Sequence, residues 1–175
     1  PPAATAERER IALSAGVRYY SGIGSGVMEF AGFERIFGAS RTSFTLAVGH
    51  IDYHHRDQAY EDRSQGTSTE IGLRFYPGHR AFEGMFLEAT LGYWQLRGTW
   101  RDDLGTPFTT TGKGSLGLSD IAFRTGYTWW FPGQRLFLTS SLGVGLLTST
   151  NREPDPFGPA DCSYINFGLA AAATW

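Results

Sequence analysis

The sequence predicts an all-β fold, an eight-stranded antiparallel up-and-down transmembrane β-barrel. Three observations carry that reading. Eight segments of about ten residues or more alternate apolar with small or polar side chains at the period of two that belongs to strands. The connections alternate as well: tight after the second, fourth and sixth segments, long and polar after the third, fifth and seventh. Finally, no stretch approaches eighteen apolar residues, so no helix spans a membrane, yet aromatic rings collect at both ends of the segments.

Composition agrees. The 175 residues suit one domain, with residues 1–7 as an N-terminal tail and 8–175 as the barrel. Aromatics at 15% and 23 glycines are high for a soluble domain, while charged residues at 18% are low. Mean hydropathy is only −0.23, which a barrel tolerates because alternation hides its lipid-facing surface from any average. A net charge of −2 argues against a nucleic-acid partner. The lone Cys162 forms no intramolecular disulfide. Pro1-Pro-Ala-Ala-Thr-Ala6 reads as a mature end or a short linker, with any secretory signal already removed.

The first strand is read at residues 8–20, with Ile11, Leu13, Ala15, Val17 and Tyr19 on one face and Ser14, Gly16, Arg18 and Tyr20 on the other. A glycine-rich loop follows; its Gly22-x-Gly24-x-Gly26 lacks the strand-then-helix context of a nucleotide site. The second strand, 27–37, has the weakest pattern: Ala31, Phe33 and Phe37 outward, Glu34 inward, and Arg35 outward, where it must snorkel to headgroups. In the third strand Phe44, Leu46 and Val48 are in phase, but after Gly49 the apolar set becomes Ile51 and Tyr53, which predicts a bulge at the glycine. Residues 54–65 are polar and charged and are expected to form a long exposed loop.

The fourth strand, 66–76, puts Thr69, Ile71, Leu73 and Phe75 outward and Glu70, Gly72, Arg74 and Tyr76 inward. Pro77-Gly78 makes a tight turn. The fifth, 84–100, puts Met85, Leu87, Ala89, Leu91 and Tyr93 outward and Glu88, Thr90 and Gly92 inward, and 101–112 is a second polar loop. In the sixth, 113–131, Ile121, Phe123, Thr125, Tyr127, Trp129 and Phe131 oppose Arg124, Gly126 and Thr128. Leu116 and Leu118 sit in the other phase, which predicts a second bulge near Ser119-Asp120. After Pro132-Gly133, the seventh strand, 135–149, turns Leu136, Leu138, Leu142, Val144 and Leu146 outward; 151–161, with three prolines, is the third long loop. The last strand, from Cys162, alternates without a break: Ile165, Phe167, Leu169, Ala171, Ala173 and Trp175 face one way, Tyr164, Asn166, Gly168, Ala170, Ala172 and Thr174 the other.

The three tight turns share an aromatic followed four residues later by Arg: Phe37 and Arg41, Tyr76 and Arg80, Phe131 and Arg135. They mark one rim. Two aromatic belts are expected. Phe37, Phe75, Trp129, Trp130, Phe131 and Trp175 form the belt at the short-turn end; Tyr19, Tyr20, Tyr53, Tyr93, Trp94, Trp100 and Tyr164 form the one at the long-loop end.

An apolar strand ending on a terminal aromatic resembles the closing strand of bacterial outer-membrane β-barrels. The architecture as a whole is similar to the small eight-stranded members, of the OmpA transmembrane-domain and OmpX-like kind. The resemblance implies a Gram-negative outer-membrane location with both termini periplasmic. It also implies an insertion signal in Phe167, Leu169, Ala171, Ala173 and Trp175 that is read by the barrel-assembly machinery. Contacts with outer-membrane lipids and lipopolysaccharide follow, with external loops free for a protein partner. No periplasmic domain is expected after Trp175, so peptidoglycan anchoring is not implied.

Candidate chemistry lies on the inward faces: Arg18, Glu34, Glu70, Arg74, Glu88 and Arg124, three charges of each sign. Eight strands leave an interior just wide enough for side chains to fill, and enclosed charges require partners. A salt-bridged plug is expected, with a narrow polar conduit as the alternative. His50, His54 and His55 precede Asp57, Glu61, Asp62 and Ser64. The region from His50 to Ser64 could hold a metal, or a His–Ser–acid site of the kind a lipid-modifying barrel enzyme uses. It reads first as a solvated loop end, so no catalytic, metal or cofactor residue is assigned. The leading expectation is a non-enzymatic barrel with a structural or loop-mediated interaction role; a lipid-modifying enzyme or a small solute channel are the alternatives.

Overall fold

The computed structural model describes residues 11–22, 24–37, 41–56, 58–78, 82–131, 135–150 and 162–175. Eight strands follow in chain order: β1 Ile11–Ser21, β2 Ser25–Ile36, β3 Thr42–Arg56, β4 Glu61–Phe75, β5 Gly84–Asp102, β6 Thr110–Trp130, β7 Leu136–Ser149 and β8 Cys162–Thr174. Each pairs antiparallel with its neighbours in sequence, and β8 returns to β1, closing an up-and-down barrel. No described residue is helical. The N-terminal tail, the start expected for the first strand, the Pro132-Gly133 turn and most of the third long loop lie outside the described residues.

Register fixes the barrel's dimensions. The row Ile11, Arg35, Phe44, Leu73, Ala89, Phe123, Val144 and Ile165, paired strand to strand, arrives back on β1 at Ser21, ten residues from where it began. A stagger of that size in eight strands goes with a tilt of about 40°. The side chains on this row and its neighbours face outward. Leu73, Leu91, Phe123 and Leu142 are each more than half exposed, as large apolar groups are when lipid is their solvent. The outward apolar set on β7 runs from Leu136 to Leu146, and with that tilt the belt is roughly 25 Å tall.

Neither expected bulge forms. Pairing runs residue for residue through Gly49 on β3 and through Ser119 and Asp120 on β6. The phase change in the sequence is real, but it is the environment that changes and not the backbone. Ile51, Leu116 and Leu118 point inward and are buried. The segments expected as loops are accordingly strand: β3 continues to Arg56, β4 begins at Glu61, and 103–109 is all that separates β5 from β6. In this upper part the outward side chains are polar, among them His50, Asp52, His54, Arg63, Gln65, Arg97 and Lys113. Through the middle of the belt the sheet is apolar outside and polar inside; above it the outside turns polar and the inside largely apolar. β3 to β6, at 15 to 21 residues, carry this extension, whereas β1, β2, β7 and β8 have 11 to 14. The tall wall rises roughly 20 Å above the belt.

The aromatic belts are corrected by the same observation. At the short-turn end Phe37, Phe75, Trp129, Phe131 and Trp175 do face outward, but Trp130 turns in and stacks on Phe137 with ring centroids 5.6 Å apart. At the other end only Tyr19 and Tyr93 are outward. Tyr20, Trp94 and Tyr164 fill the interior, Trp94 being 1% exposed, and Tyr53 and Trp100 share their inward phase. Tyr20 meets Trp94 edge-on at 4.9 Å and Tyr164 at 5.2 Å. With Met28, Ile51, Leu96, Leu116, Leu118 and Leu147 they form an upper apolar cluster.

A second cluster closes the short-turn end: Ala12, Ile36, Tyr76, Phe82, Phe86, Phe137 and Ala172. Pro77-Gly78 does not turn directly into β5. The connection continues to Phe82, which adopts a φ of +60° and is fully buried against Tyr76, at 6.1 Å, and Phe137, at 5.4 Å. A bulky residue in the left-handed region is strained, and burial of the ring offsets that strain.

The belt's upper edge is testable on one strand. Leu91→Arg should destabilise the barrel by about 2–4 kcal/mol, and Gln95→Arg, four residues further up the same outward face, by about 1 kcal/mol or less. Urea unfolding in lipid vesicles, followed by tryptophan fluorescence, measures both.

Candidate functional site: the charged layer of the lumen

Between the two apolar clusters lies a layer of charge. The ladder puts Arg74, Glu88 and Arg124 directly abreast on β4, β5 and β6. Glu70 lies four residues from Arg74, on the same inward face of β4, and Glu34 and Arg18 reach in from β2 and β1. The structure brings all six together in one chain of alternating sign. Arg18 Nη1 donates to both Glu70 oxygens, at 2.8 and 2.7 Å. Glu70 is 3.0 Å from Arg124 Nη2, whose Nη1 is 3.7 Å from Glu88. Arg74 donates to Glu88 at 3.3 Å and to Glu34 at 2.7 Å. Each arginine or carboxylate in the middle of the chain therefore has a counter-charge on either side.

Neutral groups complete the layer. Tyr76 donates to Glu34 at 2.8 Å, as does Ser43 at 2.5 Å; Thr45 donates to Glu88 at 2.9 Å and Tyr20 to Glu70 at 3.3 Å. The Arg18 guanidinium lies over the Phe30 ring at 4.8 Å and that of Arg74 over Phe86 at 4.2 Å. Reading charges alone missed Ser43, Thr45, Tyr20 and Tyr76 as partners, although their inward phase was legible. Glycine was a further signal: a Cβ on Gly143, beside Arg124 on the ladder, would stand 2.6 Å from the Arg124 Cγ. The bulk of the arginine is accommodated by the absence of a side chain opposite. The cavity left among Arg18, Glu70, Arg74, Glu88, Thr90 and Arg124 is about 60 Å³, room for a handful of waters.

The region from His50 to Ser64 is arranged differently. His50 and His54 face outward, with Nε2 3.7 Å from Asp52 and 3.4 Å from Glu61 respectively. Ser64 faces inward, and its hydroxyl donates to Asp62 at 2.7 Å. A nucleophile and its base must share a hydrogen bond. These two histidines lie across the sheet from Ser64, and the serine is held by a carboxylate instead. Among the described residues no group of three or more His, Cys, Asp or Glu side chains is placed to hold a metal ion.

The fold is shared with small outer-membrane β-barrels. Ail, the attachment invasion locus protein of Yersinia pestis, superposes with a TM-score of 0.60 in its complex with the heparin analogue sucrose octasulfate; identity is 10%, and 95% of this chain and 99% of that one are covered. A major outer membrane protein from Thermus thermophilus gives 0.52 at 11% identity, covering 94% and 99%. The translocator domain of the autotransporter NalP from Neisseria meningitidis gives 0.54 at 10%, covering 94% and 88%. At these identities the likeness is one of fold. No family model matches the sequence, and no curated protein does.

Chemically, the layer is suited to holding itself together. Every carboxylate in it accepts from at least one arginine, and it is sealed above and below by apolar side chains. Glu70→Ala, which leaves the Arg18 and Arg124 charges facing each other, should cost about 3–5 kcal/mol. The pair Arg18→Met with Glu70→Leu, which leaves Arg124 with Glu88, should cost much less. Urea titrations in vesicles compare the two.

Proposed function

We propose that the chain is a non-enzymatic integral outer-membrane barrel with a plugged lumen, whose tall β3–β6 wall is displayed outside the cell. The exchange of inner and outer polarity at the top of the belt carries this reading. An outward apolar belt needs lipid, and a polar outer face above it, over a dry interior, needs water. The extension is on the side of the β1–β2, β3–β4 and β5–β6 connections, which supports reading that end as external and both termini as periplasmic. Where the first two long loops were expected from sequence, what is displayed is mostly sheet. At its tip the 103–109 connection is tied by Thr106 and Thr109, whose hydroxyls donate to the Asp103 carbonyl at 2.9 and 2.8 Å. It presents Phe108, 77% exposed, as an anchor for a protein partner.

The charged layer supports a structural role over a conduit, because a continuous water path would have to pass both apolar clusters. The outward row Phe167, Leu169, Ala171, Ala173 and Trp175 supports recognition by the assembly machinery, with Trp175 64% exposed at the lower rim. Lipid and lipopolysaccharide are the surroundings of the belt.

Orientation can be read with one reagent, since Lys113 is the only lysine in the sequence and lies on the wall. A membrane-impermeant amine reagent applied to intact Gram-negative cells should label the protein at Lys113, and Lys113→Arg should abolish that label. Labelling only after lysis would reverse the orientation. Deleting Trp175 should leave the chain in the periplasm of those cells while refolding into detergent in vitro still succeeds; equal insertion of the truncated chain would remove its role as a signal.

A further inference from the structure

One threonine on the outer face of the wall is surrounded by positive charge. Thr99 on β5 is paired with Arg63 on β4 and with Lys113 on β6. Arg97 and Arg101 flank it two residues below and above, on the same face. Adjacent like charges on a sheet repel. Two acids share this outer surface: Glu61, opposite Arg101 and engaged with Arg63 at 3.0 Å and His54 at 3.4 Å, and Asp52, which lines the lower groove 3.7 Å from His50. Burial pulls the Glu61 carboxyl up, but the hydrogen bonds from His54 and Arg63 and the charges of Arg63 and Arg56 hold it below the ordinary range, so it is ionised at neutral pH. Four cations against two carboxylates leave a net charge of +2. Among the described residues, no ion pair involves Arg97, Arg101 or Lys113. Above the belt on β7, β8 and β1 the outward side chains are Thr148, Ser163 and Ser21, with no cation.

The surface around Thr99 is concave. A groove of about 620 Å³ runs from Tyr19 and Val27, at the top of the apolar belt, up to Arg63, Arg97 and Thr99. A second, of about 300 Å³, continues from Arg63 and Thr99 to Glu61 and Arg101. Arg97 stands four residues above Tyr93, roughly 10 Å higher at this tilt, which is the height of the headgroup layer.

We propose that this groove binds a phosphorylated glycolipid of the outer leaflet, its phosphates held around Thr99 by Arg63, Arg97, Arg101 and Lys113. The proposal rests on the outward orientation of the wall. Two features select a lipid over a soluble anion. The floor of the groove is continuous with the lipid-facing belt, so an acyl chain against Tyr19 and Val27 leads its headgroup directly to Arg97. The cations are also spread along the wall, matching anionic groups distributed over a tall sugar headgroup rather than one compact ion. Arginine gives bidentate recognition of phosphate, and the Thr99 hydroxyl supplies a central donor. Bound phosphate would relieve the mutual repulsion of the four cations.

The test uses the whole chain refolded in phosphatidylcholine nanodiscs doped with lipopolysaccharide, with retained glycolipid counted by native mass spectrometry after detergent extraction. Wild type should retain the phosphorylated form and lose most of it when the lipopolysaccharide is enzymatically dephosphorylated. Arg63→Gln, Arg97→Gln and Lys113→Gln together should reduce retention at least tenfold while the heat-modifiable gel shift shows the barrel still folded; Arg35→Gln, outward at the opposite rim, should leave it unchanged. Equal retention by the triple variant, or of the dephosphorylated lipid, overturns the proposal. Equally tight binding of a soluble sulfated oligosaccharide, displacing the glycolipid, would make the surface a polyanion site and overturn the choice of a lipid. Failure of Lys113 to react on intact cells, with retention in nanodiscs intact, would instead refute the orientation and leave the site standing.

Discussion

In hydrocarbon no water is present to satisfy a backbone N–H or C=O, and each group left unpaired costs several kcal/mol. That constraint accounts for the closed, residue-for-residue ladder from β1 round to β8. Closure in turn creates an inside. With eight strands and a stagger of ten, that inside is too narrow to be a solvent channel and too wide to be left empty. Whatever points inward must pack, and whatever is charged there must be answered. The alternating chain from Arg18 to Glu34 answers it within the barrel, using charges from five different strands.

The layer also depends on what lies above and below it. A salt bridge open to water contributes little, and one deprived of water is costly to break. Tyr20, Trp94 and Tyr164 on one side and Tyr76, Phe82 and Phe86 on the other seal it from bulk water. Removing one partner is therefore expensive, which supplies rigidity even where the network as a whole adds little net stability. The positive φ of Phe82 belongs to the same scheme: a connection that could have ended at Pro77-Gly78 is carried further so that an aromatic ring can close the base.

Where one solvent boundary governed both faces of a strand, the sequence was legible. β8, β7 and the lower parts of β1, β4 and β5 showed their lipid face directly, because apolar outward and polar inward are fixed by hydrocarbon on one side and a crowded polar interior on the other. The six inward charges and their phase were likewise visible. The errors cluster at one height. Ile51, Leu116 and Leu118 looked like a slip in register because they are apolar in the inward phase. Period-two alternation has no absolute sign: it reports that two faces differ, and not which of them is wet. The same ambiguity made Tyr20, Trp94 and Tyr164 resemble interfacial rings, and made residues 54–65 resemble a loop, since a solvated outer face over a short inward-facing polar run carries no apolar stripe. Locating the plane where lipid ends required the pairing of strands, a non-local property that no single segment displays.

The unequal height of the strands gives the molecule a front and a back. Among the described residues four tall strands stand on one side and four short ones on the other, so the sheet's own edge is a slope rather than a ring. A cylinder can rotate about the membrane normal without consequence to its neighbours, whereas a slope cannot. A lipid or protein approaching the described sheet through the plane of the membrane meets the cation-studded strands or the shorter ones edged with serine and threonine, according to its bearing. In a crowded leaflet, that difference alone is enough to give the barrel a preferred heading among its neighbours, an azimuth set by strand length.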